Sequence, residues 1–77
     1  MEKRLSEFIV GDEGVVKQVG GEGRIRRRLF DMGITPNAKI VMRKLAPLGD
    51  PMEVTVRGYE LTLRKTEADC VTMIIQN

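Results

Sequence analysis

Few residues in this sequence could carry out chemistry. The 77 residues include no histidine, so the usual proton shuttle of acid–base catalysis is absent. The single cysteine, Cys70, begins a strand-like segment and has no candidate base near it. We interpret it as a buried structural thiol rather than a nucleophile. We therefore assign no catalytic residue and predict that the chain is not an enzyme.

Metal ligands are equally scarce. Without histidine, the available donors are mainly carboxylate oxygens, in the pairs Asp12 with Glu13 and Glu67 with Asp69. Such hard ligands suit Mg²⁺ or Ca²⁺ better than a transition metal, and solvated acids in turns explain them more simply. We predict no metal site and no intrinsic cofactor, with Fe(II) or another transition metal bound weakly at most.

A cluster of arginines is the strongest charge feature. Four of them lie in the segment Arg24–Arg28, where they would surround the apolar stripe of a helix. Such a face could bind phosphates, although no aromatic platform for single-stranded nucleic acid accompanies it. Phe30 would point away from the stripe, either into a second contact with the core or outward as an anchor for a partner. We include Arg26, Arg27 and Phe30 in a predicted partner-binding surface.

The segment LAPLGDPMEV, Leu45–Val54, is unusually stiff for a connection between strands. Two prolines each fix φ, and the glycine between them can supply the positive φ that reverses the chain. Two interpretations explain these residues equally well. The segment could be a connection whose stiffness lowers the entropy of the unfolded state, or it could be a rigid docking edge that loses little entropy on binding. The predicted partner-binding residues here are Leu45, Pro47, Leu48, Gly49, Asp50, Pro51 and Met52, with Leu48 as the central apolar anchor.

The elements that must position these residues are mostly strands. One helix is predicted from about Arg24 to Met32, because Ile25, Leu29 and Met32 form one apolar stripe and Gly33 can end it. A short helical turn is expected in the segment EKRLSEF, with Ser6 as its N-cap, and polar turns at Gly11–Gly14 and Thr66–Asp69. The predicted strands are Val15–Val19, Lys39–Leu45, Met52–Arg57, Tyr59–Lys65 and Cys70–Gln76.

Five short strands and one short helix predict a mainly β fold. The chain is too short for two full sheets, and a small, nearly closed barrel avoids the open edges that invite aggregation. We predict a single domain over residues 1–77, expected to be a monomer. The predicted core residues are Val15, Ile25, Leu29, Ile40, Met42, Val54, Val56, Leu61, Leu63, Val71 and Met73.

The sequence also predicts where the domain works. Its start is too polar for a signal peptide, no apolar run is long enough to cross a bilayer, and one cysteine cannot form an internal disulfide. The net charge of +2 is too small to imply a nucleic-acid partner by itself. We expect a cytoplasmic domain without membrane insertion.

Several short pieces of the sequence occur in one characteristic order: Arg28-Leu29, Gly33, Pro36, the loop Pro47–Pro51, Leu63-Arg64 and Glu67-Ala68. Together they resemble the ferrous iron transport protein A family, FeoA, over nearly the whole chain. After Pro36 the family usually has glycine, whereas this chain has Asn37, which is also able to adopt a left-handed conformation.

The resemblance implies an SH3-like small barrel of about five strands. It also implies a cytosolic accessory protein for bacterial ferrous iron uptake that binds FeoB, the inner-membrane transporter with a cytosolic GTPase domain. The resemblance leaves open how such a protein acts on the transporter: by assembling it, by gating it or by modulating its GTP hydrolysis. The alternatives are an SH3-like nucleic-acid-binding module that uses Arg24–Arg28, and a regulatory domain like that of iron-dependent repressors, which is disfavoured because no DNA-binding helices are attached.

Overall fold

The computed structural model describes residues 1–76 and confirms the mainly β architecture. The elements in chain order are β1 (Glu2–Arg4), a 3-10 turn η1 (Leu5–Glu7), β2 (Glu13–Val19), α1 (Gly23–Asp31), β3 (Lys39–Leu45), β4 (Met52–Val56), β5 (Tyr59–Leu63), α2 (Lys65–Ala68) and β6 (Val71–Ile75). The strands form one antiparallel sheet, in the order β1-β6-β2-β3-β4-β5, that curls around a single apolar core.

The sheet has six strands rather than five, because the start of the chain is extended. Residues Glu2–Arg4 pair antiparallel with β6, with Lys3 opposite Met73. Only the following three residues turn, as η1, and Ser6 does not cap them. Instead, the side chain of Glu7 accepts the backbone N–H of Arg4 at 2.9 Å. Pairing with a strand distant in sequence therefore overrides the local helical pattern.

Gly14 lies within β2 and not in the predicted turn. A Cβ atom at this position would lie 2.3 Å from the carbonyl oxygen of Ile74 on β6, a distance that no real side chain tolerates. The glycine is therefore needed for close approach of two strand backbones, and β2 begins at Glu13.

The inward face of β2 differs from the prediction. Val16 is buried at 1% exposure, whereas Val15 is only half-buried. A register shift between Val16 and Gln18 bends the strand against β6, so that Val19 also faces the core. Ile25 and Leu61 are likewise half-buried at the core margin. The other predicted core residues are buried as expected: Leu29, Ile40, Met42, Val54, Val56, Leu63, Val71 and Met73.

The end of α1 is formed as the sequence predicts. Gly33 has a φ of +90°, and its N–H donates to the carbonyl of Phe30 at 3.0 Å. The next N–H, of Ile34, donates to the carbonyl of Leu29 at 3.0 Å, which completes a Schellman motif. Leu29 and Ile34 are both fully buried, so this cap also fixes the helix against the sheet.

Two turns reverse the chain as expected, and one predicted turn is a helix. Asn37 adopts a left-handed φ of +75°, as predicted. Arg57 and Gly58, with φ of +52° and +84°, form a two-residue hairpin that ends β4 one residue early. The segment Lys65–Ala68 forms α2, so β5 ends at Leu63 and the last strand starts at Val71.

The register of β2 can be tested with two neighbouring valines. Val16→Ala should lower the free energy of unfolding by about 2 kcal/mol, because it removes two buried methyl groups and leaves a cavity. Val15→Ala is the matched control and should cost less than about 1 kcal/mol. Urea denaturation followed by circular dichroism measures both. A larger loss for Val15→Ala would contradict the observed register.

Candidate partner-binding surface

The loop between β3 and β4 is held in one shape by its own backbone. The N–H of Ala46 donates to the carbonyl of Pro51 at 3.0 Å, and the N–H of Gly49 donates to the carbonyl of Ala46 at 2.7 Å. Gly49 has the positive φ expected of it, +80°, and the Asp50–Pro51 peptide bond is cis. The loop is therefore a closed turn whose tip projects from the sheet.

A side-chain contact ties this loop to the rest of the domain. Asp50 accepts the backbone N–H of Lys65, the first residue of α2, at 3.0 Å. Leu48, at the tip, is 92% exposed, so its side chain stabilises nothing within the domain. Pro47 and Pro51 are exposed as well, and Leu45 is half-buried against the core. The loop thus holds one large apolar side chain in water on a fixed backbone.

Met52 was included in the predicted contact surface, and the structure places it elsewhere. Its side chain is 1% exposed and belongs to the core, because β4 turns Met52, Val54 and Val56 inward together. A partner can reach the loop only as far as Pro51. The strand alternation that the sequence showed for β4 already contained this information.

The three predicted contact residues on α1 differ in how firmly other groups of the domain hold their side chains. Arg26 is held in place, since its Nε donates to the carbonyl of Val19 at 3.1 Å and its guanidinium lies 4.6 Å from the centre of the Phe30 ring. Arg27 is exposed and makes no side-chain hydrogen bond or ion pair with residues 1–76. Phe30 packs against the core, which is one of its two expected positions, and its ring contacts the guanidinium of Arg26.

The two parts of the predicted surface line different grooves. Arg26, Arg27 and Phe30 border a groove of about 410 Å³ on the outer side of α1. Leu45 and Pro51 border a smaller groove of about 200 Å³ beside the loop. The structure therefore presents two separate candidate contact sites, one on the helix and one at the loop.

The interpretation of Glu67 as a solvated acid in a turn is wrong, because the residue is buried and lies in α2. Its side chain is 9% exposed, and its carboxylate accepts the backbone N–H of Arg64 at 2.9 Å and pairs with Arg28 of α1 at 3.3 Å. It therefore caps α2 and links it to α1. A capping box is usually recognised by serine or threonine three residues before the acid, and Arg64 stands there instead.

Two exposed aliphatic residues were also missed. Ile9 and Val10 are 64% and 57% exposed in the loop that follows η1. The loop is fixed, because Asp12 accepts the N–H of Ile9 at 3.0 Å and pairs with Lys3 at 3.3 Å. Their apolar run after Phe8 resembles a buried strand in the sequence, so only the structure identifies them as surface residues.

Cys70 and the acidic residues form neither a catalytic group nor a metal cluster within residues 1–76. Cys70 was predicted to be buried at the start of a strand, but it is half-buried and precedes β6, and its Sγ lies 3.6 Å from the carbonyl oxygen of Thr66. Within residues 1–76, no three side chains of histidine, cysteine, aspartate or glutamate come together in a group that could hold a metal ion. No helix in the same residues is long and apolar enough to cross a membrane.

The sequence is similar to a known domain family and to a curated relative. The sequence model of the FeoA domain matches residues 3–73. A curated relative, the Fe(2+) transport protein A/Fe(2+) transporter FeoB fusion protein of Porphyromonas gingivalis, is 37% identical over 65 residues. That match covers 84% of this chain and 8% of the relative, so the chain spans only a small part of the fusion protein's length.

Solved structures agree with the sequence match. The FeoA protein of Chlorobium tepidum is 43% identical, with a TM-score of 0.89 over 97% of this chain and 71% of that one. The zinc-complexed FeoA of Stenotrophomonas maltophilia, a prokaryotic SH3 domain protein, is 28% identical, with a TM-score of 0.80 over 96% of this chain and 89% of that one. The predicted SH3-like fold is confirmed.

A more distant likeness shows the fold alone. A manganese-dependent transcriptional repressor is 14% identical, with a TM-score of 0.89 over 97% of this chain and 42% of the repressor. A regulatory domain like that of iron-dependent repressors was the disfavoured alternative from the sequence, and this match shows a shared fold without showing a shared role.

The role of Glu67 can be tested by its removal. Glu67→Ala should lower the free energy of unfolding by about 1–3 kcal/mol, because it removes a cap and a partly buried charge-assisted contact. Glu60→Ala, at an exposed position on β5, is the matched control and should change it by less than about 0.5 kcal/mol. Chemical denaturation measures both, and equal effects would rule out a structural role for Glu67.

Proposed function

The chain belongs to the FeoA family, a transport accessory family associated with ferrous iron transport, and on this basis we propose that it acts by binding the cytosolic part of the transporter FeoB. It contributes a rigid contact surface and no chemistry of its own. The proposed location is therefore cytoplasmic, and the proposed working form is a monomer.

This proposal rests mainly on one relative, in which an Fe(2+) transport protein A and the transporter FeoB are fused. In the Porphyromonas gingivalis protein, a segment similar to this chain and the transporter FeoB are parts of a single polypeptide. Covalent linkage raises the effective concentration of one module at the other. Such an arrangement favours a module that works by contacting the transporter, and this chain shares most of its length with that segment.

The geometry of the loop at Leu48 supports the same proposal. A side chain that is 92% exposed on a closed, anchored turn has its binding conformation before the partner arrives. Little ordering entropy is then lost on binding. Complete burial of a leucine side chain contributes about 1.5–3 kcal/mol. Leu48 is accordingly the proposed central anchor, with Pro47, Gly49, Asp50 and Pro51 around it.

The nucleic-acid alternative receives less support from the geometry of α1. Arg26 is held by the carbonyl of Val19 and by Phe30, and Arg28 is paired with Glu67. Two of the four arginines are thus engaged within the domain, and the number of phosphates that the helix could neutralise falls accordingly. Because affinity for nucleic acid depends on that number, the helix is better suited to a limited contact with a protein.

The contact can be tested with one substitution at the loop. Leu48→Ser should weaken binding to the purified cytosolic part of the transporter by at least about tenfold. The free energy of unfolding should change by less than about 0.5 kcal/mol, because the side chain is exposed. Isothermal titration calorimetry and urea denaturation measure the two quantities.

The matched control is Ile74→Thr, which changes a partly exposed apolar residue on β6 and should leave the affinity unchanged. Normal binding by Leu48→Ser would remove the loop from the proposed contact. Absence of any binding by the unsubstituted chain would overturn the proposed function itself.

The donor set of the chain also leads to a proposal about metal. With no histidine and one cysteine, the chain offers mainly carboxylate ligands, which bind Fe(II) weakly. Anaerobic titration of the isolated domain with Fe(II) should give a dissociation constant well above the micromolar range. A stoichiometric site of submicromolar affinity would contradict a role limited to protein contact.

A further inference from the structure

One side of α1 carries a groove of about 410 Å³. The residues that line it are Gly23, Arg26, Arg27, Phe30 and Asp31. The first four of these positions are three or four residues apart, so they lie on one side of the helix. A Cβ atom at Gly23 would have no other atom within 4 Å, so the groove is open at the start of the helix.

The guanidinium of Arg26 is already fixed at the wall of this groove. Its Nε donates to the carbonyl of Val19 at 3.1 Å, and its Cζ lies 4.6 Å from the centre of the Phe30 ring. That hydrogen bond uses one of the five N–H groups of the guanidinium, so the two terminal nitrogens can donate to an acceptor outside the domain. A fixed side chain also loses less entropy on binding than a mobile one.

Arg27 brings a second positive charge to the groove. Its side chain is exposed and forms no ion pair within residues 1–76. Asp31, four residues further along, has the spacing of a helical ion pair, but the two side chains do not pair. The lining of the groove therefore has two positive charges and one negative charge.

The charged residues around the groove leave this balance nearly unchanged. Arg28 lies outside the lining and pairs with Glu67 at 3.3 Å. Glu22 precedes the helix and Arg24 is in its first turn, and these two exposed residues carry opposite charges. The net charge that the groove presents to a ligand is therefore positive and small.

A carboxylate is the anion that suits this groove best. Planar guanidinium groups donate charge-assisted hydrogen bonds to carboxylates in a matching geometry. A carboxylate carries one negative charge, whereas a phosphate monoester carries nearly two and would be repelled more strongly by Asp31. Nucleic acid gains affinity from the number of phosphates that it has neutralised, and the groove offers two arginines.

We propose that the α1 groove binds an aspartate or glutamate side chain of a partner protein. Arg26 and Arg27 donate to its carboxylate, and Phe30 holds the plane of the Arg26 guanidinium. This proposal goes beyond the proposed contact with the transporter, because the groove is separate from the loop at Leu48. Binding of a carboxylate here requires neither that loop nor the transporter, so the two proposals can fail independently.

The test uses the ¹⁵N-labelled chain and the synthetic peptide acetyl-Ala-Ser-Ala-Glu-Ala-Ser-Ala-amide. Heteronuclear NMR titration should give saturable shifts at the Nε–H of Arg26 and at the backbone amide of Arg27, with a dissociation constant in the millimolar range because the peptide supplies one contact. A matched peptide with glutamine in place of glutamate should bind at least about fivefold more weakly. Inorganic phosphate at the same ionic strength should also bind more weakly.

Two arginines of the same helix form a matched pair of variants. Arg27→Gln should weaken binding of the glutamate peptide at least about fivefold, because it removes one donor group from the groove. Arg24→Gln makes the same change of charge outside the groove and should change the affinity by less than about twofold. Both residues are exposed, so both variants retain the fold.

A third variant separates geometry from charge. Arg26→Lys keeps the positive charge but lacks the planar group of nitrogens, and it should weaken peptide binding at least about threefold. Leu48→Ser should leave peptide binding unchanged.

Equal weakening by Arg27→Gln and Arg24→Gln would overturn the proposal, since it would reveal a diffuse attraction rather than a site. Equal affinity for the two peptides, tighter binding of phosphate than of the glutamate peptide, or full binding by Arg26→Lys would overturn it as well. Absence of a saturable shift at the Nε–H of Arg26 would have the same consequence.

Discussion

The sheet must bend sharply, because so short a chain has to enclose one apolar core. The strand registers and the close approach of β2 and β6 follow from that bend. A chain of this size buries only about 60% of its unfolded surface, so each strand must contribute inward side chains to one core. Register shifts at Val16/Gln18 in β2 and at Met42/Lys44 in β3 provide the bends. Gly14 allows β2 and β6 to approach closely enough for the sheet to curl.

A few side-chain contacts also hold the surface elements of this short chain in one conformation. Asp50 holds the loop at Leu48 onto α2, and Glu67 joins α2 to Arg28 of α1. Side chains that bind nothing inside the domain, such as Leu48, therefore project from backbone that does not have to rearrange. A domain without an acid–base pair can still act through such preorganised contacts. The curled sheet also leaves the outer edge of β5 without a partner strand among residues 1–76.

Local sequence patterns predicted much of this architecture, because they report properties of the chain that do not depend on distant partners. Alternation located β3, β4 and β5 to within one or two residues, and the apolar stripe with Gly33 located α1. Proline and glycine spacing identified the stiff loop, whereas the exposure of Leu48 at its tip is known from the structure. The combination of these pieces also identified the family, which the comparisons confirm.

The sequence by itself determined the periodicity, the turns, the scarcity of catalytic groups and the family resemblance. Only the tertiary structure decided which residues those elements bury and expose. The first strand exists because β6 offers it a partner, and Val16 rather than Val15 faces inward because the sheet bends there. Glu67 is buried because Arg28 reaches it from another helix. Each of these outcomes depends on groups far apart in sequence, whose mutual position is set only when the sheet closes around its core.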